Sequence, residues 1–292
     1  MRIERVLVPV DFSPASRLAV SHGIKFARKL QARLTLLHVV ELSAALTYSF
    51  SSESSGIEKE NYERARRMLP ALVAPEDHDD LDLRTVVKSG NVQNEVLTTA
   101  REQHADIVVM GTHGRGLVGR LLIGSVTLSM LRKSEVPVLT VSHATRPLTF
   151  ERILFATDLS EPSQSESHFV VDFARMTNSK LTFLHAVEKG RLEDGGTAMG
   201  HYVSRQHLDP SVKSEGIETV LAEGVPAEAI LQTAKEASAD MIVITAKHKG
   251  VLERTLLGST AERVVREARI PVLSIPASTK MDCEWLGEIP AA

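Results

Sequence analysis

Residues 4–41 read ERVLVPVDFSPASRLAVSHGIKFARKLQARLTLLHVVE, and residues 151–188 read ERILFATDLSEPSQSESHFVVDFARMTNSKLTFLHAVE. The two segments align without a gap, and 15 of their 38 positions are identical. Residues 90–142 align in the same way with residues 224–276, with 17 identities in 53 positions. Unrelated segments share only a few identities, so the chain contains an internal repeat, and this repeat decides the fold.

The repeat agrees with the length of the chain, because 292 residues are typical of about two domains. We infer two copies of one domain, at residues 1–145 and 146–280, followed by a tail at residues 281–292.

Strand and helix patterns alternate within each copy. In the first copy, residues 5–10 and 34–40 are apolar and rich in β-branched side chains, and residues 14–30 have apolar side chains at helical spacing. Ser13 before Pro14 is typical of a helix N-terminus. Later segments of this copy predict three more strands, at residues 83–87, 107–110 and 136–141. They also predict three more helical stretches, at residues 58–72, 92–103 and 125–134. The sequence therefore predicts an α/β protein with two tandem, doubly wound, five-stranded parallel-sheet domains of the Rossmann-like type.

Composition argues against several classes of protein. The net charge of -3, from 34 basic and 37 acidic residues, and an aromatic content of 4% are not those of a nucleic-acid binder. No apolar run approaches the roughly 18 residues of a membrane helix, and residues 1–13 lack the apolar stretch of a signal peptide. The single cysteine, Cys283, cannot form an internal disulfide. We expect a cytoplasmic protein.

The stretch most suited to ligand binding is a glycine-rich loop that follows the strand ending at Met110. Its glycines are Gly111, Gly114, Gly116 and Gly119, and it ends at Gly124-Ser125, where a helix begins. Glycines allow a ligand to approach backbone N–H groups, and the helix N-terminus favours a phosphate. Asp11, at the end of the first strand, should lie at the same edge of the sheet.

Two common phosphate-binding motifs do not explain this loop. No Gly-Lys-Ser/Thr follows it, so it is not a Walker A loop. Gly114, Gly116 and Gly119 have the spacing of the dinucleotide fingerprint, but they follow the fourth strand and no acidic residue ends the next strand. The plain alternative is that these glycines only form a long turn. Their number and the helix start at Gly124-Ser125 favour a binding role.

The spacing Gly111-x2-Gly114-x9-Gly124-Ser125 resembles the ATP-binding signature of the universal stress protein family. The strand leading into Asp11 and the last strand at residues 136–141 resemble the family as well, and the resemblance extends over both copies. It implies the adenine nucleotide alpha hydrolase-like variant of the fold.

The resemblance also implies an ATP site in the first copy. Its expected lining residues are Pro9, Val10, Asp11, Val39, Met110, Gly111, His113, Gly114, Arg115, Gly124, Ser125 and Val126. Asp11 and Val39 would hold the adenosine, and the glycines and Ser125 would hold the phosphates. His113 and Arg115 either add charge to this site or are simply solvated. A Mg²⁺ ion bound with the ATP is left open.

The second copy departs from the signature. It keeps Asp158, Gly258 and Ser259, but Thr245 and His248 stand where the first copy has Gly111 and Gly114. Both side chains resist positive φ and fill space that a phosphate needs. We expect the second copy to bind ATP poorly or not at all.

The other histidines do not form a convincing site. His38 and His185 recur at one strand position in both copies, which favours a hydrogen-bonded core role. His201 and His207 have no further ligands in sequence, so no metal site is predicted.

The resemblance and the absence of a recognisable catalytic motif favour a stress-response sensor or regulatory module with at most weak ATPase activity. The alternatives are a slow ATPase or adenylating enzyme of the same superfamily, and a structural module that binds no nucleotide. We expect the apolar last strands of the two copies, at residues 136–141 and 270–275, to pair with each other, and two chains to form a homodimer.

Overall fold

The computed structural model describes residues 2–41, 52–78, 80–113, 123–142, 145, 148–159, 163–204, 217–246 and 257–276. The described strands are β1 (Arg5–Pro9), β2 (Arg33–Glu41), β3 (Leu83–Gly90), β4 (Ile107–Gly111), β5 (Val138–Val141), β6 (Arg152–Ala156), β7 (Lys180–Val187), β8 (Ile217–Glu223), β9 (Met241–Ala246) and β10 (Val272–Pro276). The described helices are α1 (Pro14–Leu30), α2 (Ser52–Met68), α3 (Pro75–His78), α4 (Val92–Glu102), α5 (Ser125–Lys133), α6 (Ser163–Thr177), α7 (Leu192–Ser204), α8 (Pro226–Glu236) and α9 (Ser259–Glu267). The tail at residues 281–292, with Cys283, lies outside the described residues.

All ten described strands form one sheet in the order β3-β2-β1-β4-β5-β10-β9-β6-β7-β8. Pairing is parallel within each half of this order. The predicted α/β fold, with five parallel strands in each copy, is therefore confirmed. In each half the strand order reverses at the first strand, which places a cleft between the ends of β1 and β4.

The predicted pairing of the last strands is present, because β5 and β10 pair in antiparallel orientation at the centre of the sheet. Leu139 pairs with Leu273, its equivalent in the other copy, and Val138 pairs with Ser274 while Thr140 pairs with Val272. This exchange of equivalent partners is typical of a twofold axis. The pairing begins at residue 138, two residues later than predicted, and Pro137 contributes its carbonyl to Val108.

The sheet is covered on both faces, as strands with nearly continuous apolar side chains require. Val6 and Val8 point into one hydrophobic cluster and Leu7, between them, points into the other. Each cluster contains residues of both copies. The two copies therefore share their core layers.

Aromatic side chains join the copies on one face of the sheet. Phe26 of α1 stacks on Phe173 of α6, its equivalent in the second copy, with ring centroids 5.7 Å apart. Phe150, near the start of the second copy, contacts both rings at 5.1 and 6.4 Å. The start of the second copy is thus anchored in the apolar contact between the copies.

The repeated aspartate that precedes β4 and β9 has a structural role. Asp106 accepts hydrogen bonds from the backbone N–H groups of Glu4 and Arg5, each at 2.8 Å. Asp240 accepts the equivalent bonds from Glu151 and Arg152 in the second copy. These carboxylates satisfy the amides at the start of the first strand of each copy, which explains why the repeat keeps them.

Candidate functional site

A large cavity lies at the carboxyl ends of the first copy's strands. Its volume is about 1030 Å³. Among the residues lining it are Pro9, Val10, Asp11, Val39, Met110, Gly111, His113, Gly124, Ser125 and Val126. Every predicted site residue of the first copy that the structure describes is therefore in the cavity wall. Gly114 and Arg115 lie outside the described residues.

The N-terminus of α5 forms one end of this cavity. Gly124 is the N-cap residue, and no side chain caps the helix. The first hydrogen bond of α5 runs from the amide of Leu128 to the carbonyl of Gly124. The amides of residues 125–127 come before this bond and have no carbonyl partner within the helix. The Gly124 amide donates to the carbonyl of Thr112 at 2.8 Å, which ties the helix start to the end of β4. Such a helix end favours an anion, and phosphate groups in particular.

Gly111 permits close packing between β4 and α1. A Cβ atom added at this position would lie 2.8 Å from the Cβ of Ala15 and 2.9 Å from its carbonyl carbon. The Gly111 carbonyl also accepts a hydrogen bond from the Thr127 hydroxyl at 2.8 Å. A glycine is needed here because the backbone of α1 itself comes into contact distance.

Asp11 lies in a tight turn between β1 and α1. Its Oδ1 accepts a hydrogen bond from the backbone N–H of Ser13 at 3.0 Å. The Ser13 side chain in turn caps α1 by accepting from the Ser16 N–H at 3.2 Å, which confirms the predicted N-cap. The carboxylate is half-buried and is held at the cavity wall by this turn.

His38 is hydrogen-bonded within the fold, as predicted, and it also lines the cavity. Its Nδ1 lies 2.6 Å from the carbonyl oxygen of Val10, which can only accept, so Nδ1 carries the proton. Its ring lies 4.7 Å from that of Phe12. His185 makes the equivalent contact with Thr157 at 3.0 Å. The repeated histidine thus joins the end of its strand to the turn after the neighbouring strand.

Sequence reasoning missed the far wall of the cavity. This wall is contributed by α2 and by the start of α4, with lining residues that include Asn61, Arg64, Met68, Asn91 and Gln93. Asn91 is also the N-cap of α4, where its side chain accepts from the Asn94 amide at 3.1 Å. For Asn91 the sequence does contain a signal, because a polar side chain directly before a helix is typical of an N-cap. The sequence of α2 does not indicate which face of that helix lies against the cavity.

In the second copy, the predicted residues occupy the equivalent places. Asp158 follows β6, and Gly258 is the N-cap of α9 immediately before Ser259. Thr245, in the place of Gly111, donates a hydrogen bond from its hydroxyl to Oε2 of Glu166 at 3.0 Å. Burial raises the pKa of Glu166 to about 7, and the hydrogen bond from Thr245 opposes this rise. His248 lies outside the described residues.

Within the described part of the chain, no group of three or more histidine, cysteine or acidic side chains is placed to hold a metal ion. His201 lies in α7, and His207 is outside the described residues. None of the described helices is both long and apolar enough to span a membrane.

The fold and the cavity define a class: a tandem, doubly wound α/β protein with a large cavity at the point where strand order reverses in its first copy. A family model described as the universal stress protein family matches the chain twice, over residues 2–142 and 149–276. The chain therefore belongs to the universal stress protein family.

Relatives with two such copies match nearly the whole chain. A universal stress protein of Mycolicibacterium smegmatis is 26% identical over 293 residues, covering 92% of this chain and 96% of that protein. One of Mycobacterium tuberculosis strain H37Rv is 27% identical over 294 residues, covering 92% and 95%. Among solved structures, a universal stress protein from Archaeoglobus fulgidus has a TM-score of 0.75 and 21% identity, covering 95% of this chain and 100% of that chain. That similarity supports the fold.

Proposed function

We propose that this universal stress protein binds ATP in its first copy and acts in the cytoplasm as a stress-response sensor or regulatory module. One observation carries the proposal: a single cavity contains both a strand-end aspartate and an uncapped helix N-terminus that begins with Gly124-Ser125. These are the groups that a nucleotide requires at its sugar and phosphate ends.

The lining residues suggest how ATP lies in the cavity. The phosphates meet the amides at the start of α5, and His113 at the end of β4 adds a hydrogen-bond donor beside them. The adenosine extends toward Asp11 and the end of β2, where Val39 offers an apolar surface for the base.

The residues present also fit a Mg²⁺ ion that enters with the nucleotide. Magnesium in such sites is held largely by phosphates and one or two protein oxygens. Ser125 supplies a hydroxyl oxygen next to the expected phosphates, and the phosphates themselves would supply most of the other ligands. The ion would neutralise phosphate charge in the bound complex.

A charge reversal at the start of α5 tests the nucleotide site. Ser125 is exposed and lines the cavity, so Ser125→Asp places a carboxylate where the phosphates are expected. An acidic residue in the first turn suits the helix dipole, and we expect folding stability to be kept while ATP affinity falls about tenfold or more. Isothermal titration calorimetry measures the affinity.

Val225→Asp is the matched control. Val225 is the N-cap of α8 and is 52% exposed, so the variant adds the same charge at a helix start elsewhere in the molecule. We expect one ATP per chain with unchanged affinity in this control. Equal ATP binding by wild type and Ser125→Asp would contradict the proposed site, and two tight sites per chain would contradict the assignment to the first copy.

The principal alternative is a true ATPase or adenylating enzyme. It predicts release of ADP or AMP when the protein is mixed with ATP and magnesium. A turnover above about 1 per second, in the range of ordinary enzymes, would favour that alternative. We expect much slower release.

Two further parts of the proposal have direct tests. A structural module without nucleotide would show no rise in melting temperature with ATP, whereas the melting temperature of a protein that binds ATP keeps rising with the logarithm of the ATP concentration above Kd. We also propose that two chains form a homodimer. Light scattering on the full chain measures this, with a mass near twice 31.9 kDa as the expected result.

A further inference from the structure

Two side chains that contact each other in the second copy replace smaller residues of the first copy. Ala19 of α1 corresponds to Glu166 of α6, and Gly111 of β4 corresponds to Thr245 of β9. The alanine and glycine of the first copy are thus replaced in the second copy by residues with a carboxylate and a hydroxyl group. The sequence alignment gives each change separately, but only the structure shows that the two new side chains meet.

The geometry of the first copy explains why these positions meet. Position 111 packs directly on Ala15, and Ala19 lies one helical turn further along the same buried face of α1. Side chains on a helix lean toward its N-terminus, so a longer side chain at position 19 extends toward position 111. In the second copy the Glu166 carboxylate does reach Thr245, at 3.0 Å.

Glu166 is deeply buried and has few hydrogen-bond partners. Only 3% of the residue is exposed, and its Oε1 atom has no hydrogen-bond partner in the described part of the protein. Its Oε2 atom accepts from the Thr245 hydroxyl. A buried carboxylate with so few partners is costly, so its presence calls for an explanation beyond packing.

The location of the carboxylate suggests that explanation. Gly111 lines the first copy's cavity at the end where the phosphates are expected. Thr245 is at the equivalent position of the second copy, and its hydroxyl is hydrogen-bonded to the Glu166 carboxylate. A negative charge within a few ångströms of a phosphate in a poorly solvated wall opposes binding strongly.

We propose that Glu166, held against Thr245, makes the second copy reject nucleoside polyphosphates and so restricts nucleotide binding to the first copy. This inference rests on the proposed function of the first copy. It assigns Glu166 a role in ligand specificity, through charge, in addition to the bulk that Thr245 adds to the wall.

The first test moves the charge into the first copy. Ala19→Glu and Ala19→Gln place side chains of nearly equal size at one buried position, so any difference between them reports the charge. We expect the glutamate variant to bind ATP about tenfold more weakly than the glutamine variant at pH 8.5, as measured by calorimetry. Circular dichroism establishes that both variants are folded.

The second test needs no new side chain in the first copy's core. In the Ser125→Asp background, where the first site is expected to bind ATP at least about tenfold more weakly, Glu166→Gln removes the second copy's charge and keeps the hydrogen bond to Thr245. We expect the residual affinity for a fluorescent ATP analogue to rise about tenfold. Glu218→Gln, on the exposed outer strand β8, is the matched control and should leave this affinity unchanged.

The outcomes separate this inference from the proposed function. If wild-type protein binds no ATP, the proposed function fails before any variant is compared. If wild type binds one ATP but either the position 19 pair or the Glu166→Gln variant shows no difference in affinity, the inference is overturned and the nucleotide site stands.

Discussion

Glu166 shows how a single residue can make stability depend on pH. Burial raises its pKa to about 7 in the folded chain, against an ordinary value of 4.5. Between these two values the unfolded chain releases the proton while the folded chain keeps it. The contribution of Glu166 to stability is therefore complete below pH 4.5, falls as the pH rises, and is lost above about pH 7.

We expect Glu166→Gln to stabilise the protein at pH 8. The gain is at most about 3 kcal/mol, because a shift of one pKa unit corresponds to roughly 1.4 kcal/mol. Urea unfolding at pH 5 and at pH 8 measures the effect, and the variant should be close to wild type at the lower pH. A variant that is destabilised equally at both pH values would show that the carboxyl is not buried as described.

At the level of secondary-structure elements, Gly111 sets the distance between β4 and α1, because it has no side chain to hold them apart. An added Cβ would lie within 3.0 Å of both side-chain and backbone atoms of Ala15. This contact cannot be relieved by a rotamer change alone, since the helix backbone is involved.

We expect Gly111→Ala to destabilise the first copy by about 1–3 kcal/mol, the usual cost of overpacking. The variant should also weaken ATP binding, because α1 carries Ser16 and the turn of Asp11 at the cavity wall. Gly56→Ala is the control, since an added Cβ there meets nothing within 4 Å and alanine suits the interior of α2. Equal stability of the two variants would contradict the close packing of α1 on β4.

At the scale of the whole molecule, the two copies fold as one sheet with shared core layers. The β5–β10 pairing and the stacked rings of Phe26 and Phe173 lie at the junction of the copies. This arrangement buries two strand edges that would otherwise be open to pairing with other chains. We therefore expect the copies to unfold together.

The ring pair provides a test of that expectation. Phe26→Ala and Phe173→Ala should each cost about 3–5 kcal/mol, because both rings are fully buried. In the double variant the loss should be smaller than the sum, by about 0.5–1.5 kcal/mol for a stacked aromatic pair. Chemical denaturation measures all three values. Additive losses, or separate transitions for the two copies, would argue against coupling through these rings.

Where the predictions from sequence agree with the structure, the agreement follows from interactions between residues that are close in the chain. The bounds of α1 follow from Ser13, Pro14 and helical spacing of apolar side chains, all of which act within a few residues. The positions of Asp11 and Gly124 at one edge follow from the rule that parallel strands present their carboxyl ends together. The walls supplied by Arg64 and Gln93 were not predictable, since they depend on how α2 and α4 rotate onto the sheet.

The sequence by itself determined the two copies, the alternation of strands and helices, and the glycine-rich end of the first copy's site. These features are carried by repeated residues and by periodicities of two and about 3.6, which are local properties of the chain. Only the tertiary structure decided that Glu166 meets Thr245 across 79 positions and that equivalent residues pair at the centre of the sheet. Such contacts depend on the packing of distant elements, and no local pattern encodes the distance between them.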